Sequence, residues 1–301
     1  MSNLLDLENK PFRIVGGYDS VSCKLIERAG FDGIWASGLC VSAVAGHPDA
    51  NIMGFDTFLS YLRIMRNATN LPIIADCDTG YGDFHNVIFT VKELIKAGIS
   101  GFCIEDKIFP KINSYSVAKP QLLEKPDVFA TKIKAASDTK SNSDFIIIAR
   151  IESLIAGTGI SDAIARANLY QQAGADAIVI HSKKKDPGEI IQFLKLWNDR
   201  LPVVIIPTAY PSITLTEAKL YSVTGVIFAN QILRAAIKSI NNYLAELITA
   251  ESLSECTQSI SSVQEIFDLQ RMEEYKAEQD KYEKLQDSFL LYKTELKEII
   301  S

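Results

Sequence analysis

The chain has 301 residues, 47% of them hydrophobic, which is enough for a sizeable core, and 37 acidic against 31 basic residues give a formal charge of −6. This mildly acidic balance, without a basic run, argues against nucleic acid as the main partner. No segment approaches the ~20 apolar residues of a membrane span, no leader-like stretch opens the chain, and five scattered cysteines without a C-x-x-C pair fit a reduced, cytoplasmic protein.

Short apolar runs recur along the chain: FRIVGG from Phe12, GIWASG from Gly33, LPIIADCD from Leu71, GFCIED from Gly101, FIIIAR from Phe145, AIVIH from Ala177, LPVVIIPT from Leu201 and GVIFAN from Gly225. Such near-continuous runs predict parallel strands buried on both faces. Amphipathic segments such as SVSCKLIERAG, DTFLSYLRIMRNAT, HNVIFTVKELIKAG and SDAIARANLYQQAG lie between them, and three end in Ala-Gly or close to it, a helix stop. Eight strands alternating with helices at this length predict a (β/α)8 barrel of the TIM type. A doubly wound sheet is the alternative, and it loses ground because no G-x-G-x-x-G follows the first strand.

The expected catalytic barrel occupies residues 1–250, and a C-terminal helical extension occupies 251–301. From Val263 to Ile300 the chain is rich in Glu, Lys, Gln and Asp, while Leu285, Phe289, Tyr292, Leu296 and Ile299 form one helical stripe. That stripe either lies back on its own barrel or packs as an arm on a second subunit, the reading that periodicity slightly favours.

In a barrel of this kind the chemistry sits at the C-terminal strand ends. Those ends read Ser37, Asp76 with Asp78, Glu105 with Asp106 and Lys107, Arg150 with Glu152, His181, Thr208 and Asn230. Thr208 and Asn230 are explained well enough by strands ending where solvent begins. Asp76 and Glu105 are not, because acids directly after PIIA and FCI are expected to be partly enclosed, and enclosed charge needs a partner. Asp76 and Asp78, two apart, would share one strand face, and with Glu105 they form an oxygen-only cluster suited to Mg2+ or Mn2+. The competing explanation is a salt-bridge network with Arg150 or Lys107. Arg150 offers a planar fork for carboxylate or phosphate, and His181 a hydrogen bond to a developing oxyanion. His181 gains weight because the chain has only three histidines, with His47 in another candidate loop, while Lys183 to Lys185 read as a solvated run. Loops holding Asp49, and Lys111 with Asn113, could cover a bound anion and exclude water.

At these residues the chain resembles the phosphoenolpyruvate mutase branch of the isocitrate lyase superfamily, from about Pro11 to Gln270. The most specific piece is Glu105-Asp106-Lys107, five residues, then Asn113-Ser114, with support from WASGL at Trp35, ADCDTGYG at Ala75, ARIES at Ala149 and HSK at His181. The resemblance implies interconversion of phosphoenolpyruvate and phosphonopyruvate in phosphonate biosynthesis, with Mg2+ as cofactor. It implies that Asp76 holds the metal, with Asp78 and Glu105 acting largely through metal-bound water, and that Trp35, Ser37, Gly38 and Leu39 line the pyruvyl site. Arg150 and His181 would bind substrate and stabilise the enolate. Lys111 and Asn113 would close over the phosphoryl group from a gating loop, and Asp49 lies where the family has its essential carboxylate. A homodimer or homotetramer that exchanges the C-terminal helix is implied as well. Tyr18 and Asp19, after the first strand, depart from the usual pattern.

The nearest rival is a phosphonopyruvate hydrolase, which Asn113 disfavours because the hydrolase-like pattern alters that loop position. A lyase needs a loop cysteine that this chain lacks. An inactive barrel acting as a binding scaffold would be expected to have lost a charged site residue.

Overall fold

The computed structural model describes residues 4–6, 11–115, 120–140 and 144–300, with the side chains of Asp6 and of 291–300 outside the described set. The eight apolar runs form eight parallel strands: β1 (Phe12–Gly17), β2 (Gly33–Ala36), β3 (Ile73–Asp76), β4 (Gly101–Glu105), β5 (Ile146–Ile151), β6 (Ala177–Ile180), β7 (Val203–Ile205) and β8 (Gly225–Phe228). They pair in chain order and β1 closes on β8, giving a complete barrel. Around it run α1 (Ser20–Arg28), α2 (Gly38–Val44), α3 (Phe55–Ala68), α4 (Phe84–Lys96), α5 (Pro126–Lys140), α6 (Ser153–Ala156), α7 (Ile160–Gln172), α8 (Gly188–Trp197) and α9 (Leu215–Leu220), and α10 (Gln231–Leu247) follows β8 in the chain. The (β/α)8 fold expected from the sequence is the fold observed.

Strand alternation sorts every run into two layers. Phe12, Ile14, Trp35, Ile74, Cys103, Ile148, Val179, Val204 and Ile227 fill the barrel axis. Val15, Ile34, Ala75, Phe102, Ile104, Ala149, Ile178 and Ile205 face outward onto helix residues such as Phe58, Leu62, Phe129 and Tyr170. The closing seam needs a residue without a side chain, since a Cβ on Gly225 would stand 2.2 Å from the Phe12 ring. Parity then carries each inward-facing row upward into the mouth: Ile74 to Asp76, Cys103 to Glu105, Ile148 to Arg150, Val179 to His181. Asp106, one step off that register, points the other way, toward α7.

The Asp76–Asp78 geometry differs from expectation. Strand β3 ends at Asp76, and Asp78 takes a left-handed φ of 52° in a turn with Gly80 at 88° and Tyr81 at 62°. The two carboxylates therefore do not share a strand face; the glycine-containing turn redirects the chain first. Asp19 is the N-cap of α1, its side chain accepting from Ser22 N at 2.7 Å, and Tyr18 N donates to Ser22 Oγ. The unusual pair after β1 is therefore a helix start.

Contacts divide the chain into two compact units, Met1–Ala236 and Ile237–Ser301. The division falls inside α10, earlier than the expected boundary at 250. The second unit adds α11 (Val263–Gln270) and α12 (Met272–Ile300). Leu285 and Phe289 of the expected stripe are exposed, whereas the side chains of Tyr292, Leu296 and Ile299 lie outside the described residues. Among the described residues, no helix is long and apolar enough to cross a membrane.

Candidate active site

The strand ends and the loops after β2 and β4 enclose a cavity at the barrel mouth. Trp35, Ser37, Leu39, Asp49, Asp76, Glu105, Lys111, Asn113, Arg150 and His181 line it, joined by Ser114, Tyr115, Ile206, Thr208, Ala229 and Asn230. Gly38 stands behind this wall as the first residue of α2, and its amide donates to Asp76 Oδ2 at 3.2 Å. Ser37 caps the same helix by accepting from Cys40 N at 3.3 Å. His47 is exposed and takes no part, and Lys183 to Lys185 are exposed as expected.

One half of the cavity is a buried ion network. Glu152, 0% exposed, accepts from Arg150 Nε at 2.5 Å and from Ser114 Oγ at 2.8 Å, and lies 3.3 Å from Lys107 Nζ. Ser114 Oγ in turn accepts from Lys107 Nζ at 2.6 Å and from Arg150 Nη2 at 3.2 Å, so its single donor and two lone pairs are all used. Burial alone would raise the Glu152 carboxyl, but Arg150, His181 and Lys107 hold it well below the usual carboxylate range. Arg150 is held well above its ordinary value by Glu152, Glu105 and Asp76 despite burial.

His181 Nδ1 stands 2.8 Å from Arg150 Nη2 and 2.9 Å from Glu152 Oε1. Burial and the Arg150 charge lower its pKa, so the ring is neutral at pH 7. Arginine only donates and carboxylate only accepts, so a neutral ring satisfies one of them at Nδ1. With Arg150 donating, the imidazole proton sits on Nε2.

The other half joins two loops. Lys111 Nζ lies 2.8 Å from Asp49 Oδ1 and 2.6 Å from Asp78 Oδ1, with both partners' side chains nearly buried. Asn113 Nδ2 donates to Asp49 Oδ2 at 2.6 Å. Burial would raise Asp49, but Lys111, Asn113 and Arg150 together bring it below the usual carboxylate range, so it is ionised at neutral pH. Asn51, which sequence reasoning missed, links three segments: its Nδ2 donates to Asp78 Oδ2 at 2.6 Å and its Oδ1 accepts from Lys111 N at 2.5 Å. Its φ of 55° is one that asparagine tolerates better than most residues. Ser114 and Glu152 were legible only as parts of motifs, without their contacts.

The expected metal trio does not close into one ligand set: among the described residues, no three His, Cys, Asp or Glu side chains gather as ligands. Asp76 turns to the start of α2, Asp78 to Lys111 and Asn51, and Glu105 to Arg150 at 3.3 Å and Lys107 at 3.6 Å. Glu105 thus belongs to the salt-bridge network posed as the alternative. The donor chemistry still fits a hard cation. Burial raises Asp76 despite Lys111 and Arg150, and burial raises Asp78 to about 7 despite Lys111, so an added cation would favour the ionised form of both. Glu105 Oε1 is buried without a hydrogen-bond partner. A strongly hydrated ion such as Mg2+ needs only one or two direct carboxylates, with water completing its shell. Thr208 and Asn230 were attributed to strands meeting solvent. They instead line the cavity, and Thr208 Oγ1 and Asn230 Oδ1 are buried without a partner.

A family profile described as phosphoenolpyruvate phosphomutase matches residues 2–248. The chain belongs to that family. It is 39% identical over 282 residues to the phosphoenolpyruvate phosphomutase of Tetrahymena pyriformis, covering 94% of each chain. A solved phosphoenolpyruvate phosphomutase from Streptomyces platensis subsp. rosaceus superposes with a TM-score of 0.90 at 38% identity, over 93% of this chain and 96% of that one. A phosphonopyruvate hydrolase solved with oxalate and Mg2+ superposes with a TM-score of 0.85 at 39% identity, over 90% of this chain and 94% of that one. The chain is therefore an enzyme of the phosphoenolpyruvate mutase/isocitrate lyase superfamily, and identity alone does not choose between mutase and hydrolase.

Proposed function

We propose that the enzyme interconverts phosphoenolpyruvate and phosphonopyruvate by intramolecular phosphoryl transfer, forming a carbon–phosphorus bond for phosphonate biosynthesis. The observation that carries this reading is the convergence of Lys111 and Asn113, both from the loop after β4, on the ionised Asp49. Donors held over one end of an enclosed cavity favour a phosphoryl group kept from water, which an internal transfer requires.

In this mechanism Ser37, Gly38 and Leu39 bind the pyruvyl carboxylate and carbonyl beside Trp35. Arg150, kept cationic, takes a substrate oxygen. The phosphorus–oxygen bond of phosphoenolpyruvate breaks with its electron pair left on oxygen, giving pyruvate enolate. Carbon 3 of that enolate then takes the phosphoryl group, so no atom is gained or lost. His181 with its proton on Nε2 donates to the enolate oxygen. Lys111 and Asn113 steady the phosphoryl group while Asp49 faces it, and a loose transition state asks mainly for such positioning and charge. Asp76 would hold Mg2+, or Mn2+, with Asp78 and Glu105 reaching it through water; when bound, the cation supplies positive charge to the substrate's oxygens.

Assembly as a homodimer or homotetramer belongs to the same proposal. Ile237, Ile240, Leu244 and Ile248 recur at helical spacing and are each half exposed or more. A second copy of the chain, exchanging this C-terminal region, would cover them.

The test is the product ratio from phosphonopyruvate with Mg2+. Phosphoenolpyruvate without inorganic phosphate supports the mutase, and equal amounts of phosphate and pyruvate support the hydrolase.

A further inference from the structure

The loop after β4 brings Lys111 and Asn113 to the cavity, and its stem is held by groups that lie outside the cavity. Asp106, fully buried, directs its carboxylate away from the barrel axis. Oδ2 accepts from Arg166 Nη1 at 3.1 Å and from Tyr170 OH at 2.8 Å, both on α7. Oδ1 accepts from the backbone N–H of Glu152 at 2.8 Å, the residue whose side chain holds Arg150 and stands 2.9 Å from His181 Nδ1. The two ends of the loop also meet here: Glu124 N donates to Asp106 O at 2.9 Å, and Arg166 Nη1 donates to Glu124 O at 3.0 Å. On its other side, Arg166 Nε donates to Asp162 at 3.0 Å, which fixes the guanidinium plane.

We infer that Arg166 is a positioning residue: its guanidinium clamps the stem of the loop after β4 between Asp106 and Glu124 and, through Asp106, ties that stem to the backbone of Glu152. One carboxylate shared between the stem and Glu152 makes the placement of Lys111 and Asn113 and the position of Arg150 a single arrangement. A compact ammonium could keep the charge opposite Asp106, but it lacks the planar fork that reaches Asp106, Glu124 and Asp162 together. Among the described residues, the polar partners of Arg166 are Asp106, Glu124, Asp162 and Tyr170, none of which lines the cavity, so it acts through these contacts.

The inference rests on the proposed role of Lys111 and Asn113 at the phosphoryl group, and its test includes a readout independent of which product forms. Arg166→Lys and Arg166→Met are compared with wild type for consumption of phosphonopyruvate, and for hydrogen exchange of the backbone amides of residues 107–115 against those of β5. The clamp predicts that Arg166→Lys stays folded, with β5 exchange unchanged and loop exchange accelerated, and that kcat/KM falls roughly tenfold, a loss of transition-state stabilisation. Arg166→Met shows the same loop signature more strongly. The clamp is overturned if Arg166→Lys has wild-type loop exchange and kcat/KM, or if exchange rises equally in loop and barrel while kcat per folded molecule is unchanged. Absence of any phosphonopyruvate turnover in wild type would defeat the functional proposal, while the exchange comparison would still decide the clamp.

Discussion

Asn51 shows how much of the site depends on single polar groups. One side-chain amide joins the β2, β3 and β4 loops, through Asp78 and the Lys111 backbone. A hydrogen bond of this sort contributes about 1 kcal/mol net, more when one partner is charged. Asn51→Ala is expected to lower kcat/KM roughly ten- to a hundredfold through two lost bonds, with a circular dichroism spectrum unchanged; turnover within twofold of wild type would remove it from the site. Nothing in the sequence pointed to Asn51, because its role depends on a left-handed turn and on two loops distant in the chain. Asp49, Lys111 and Asn113 were singled out from their loops and from the family resemblance, and the structure adds that Lys111 and Asn113 each touch Asp49. His181 gives a test with a sign. Its pKa is lowered below 6.5, first by burial and then by Arg150, with Glu152 opposing. A depressed folded pKa contributes stability that is present above pH 6.5 and lost as pH falls through the folded value. In a proton NMR titration His181 should change below pH 6.5, and Glu152→Gln should move it lower still. A midpoint at or above 6.5 would contradict the burial and charge argument.

At the scale of elements, all eight strands were legible because each is a continuous apolar run, and α1, α3, α4 and α7 because their apolar period is clear. Asp78 was misread because two-residue alternation holds only inside a strand, and β3 stops at Asp76. The three acids at adjacent strand ends share a region, while the side chains of Asp78 and Glu105 follow the nearest cations, Lys111, Arg150 and Lys107. Element α10 carries a strongly amphipathic pattern yet contains no buried residue. A face of this kind is covered in a stable assembly. Sedimentation velocity is expected to report a species of at least twice the 33.3 kDa chain mass. Charging the face by Ile240→Lys with Leu244→Lys should shift it toward monomer. A wild-type monomer at micromolar concentration would contradict this.

In the unit Met1–Ala236 the inward strand rows of the barrel become the walls of one cavity, so fold and site share a single pattern. What the sequence could not convey was the outward network of Asp106, Arg166 and Tyr170, since a buried charge next to a helix looks the same in a sequence as one facing a substrate. In the proposed reaction the phosphoryl group passes between oxygen and carbon of one substrate without meeting solvent. Phosphorus NMR of phosphonopyruvate with the enzyme and Mg2+ in 18O-labelled water is the decisive measurement. Internal transfer gives a growing phosphoenolpyruvate resonance with no 18O isotope shift and no inorganic phosphate. Inorganic phosphate carrying 18O, formed in step with loss of phosphonopyruvate, would contradict it.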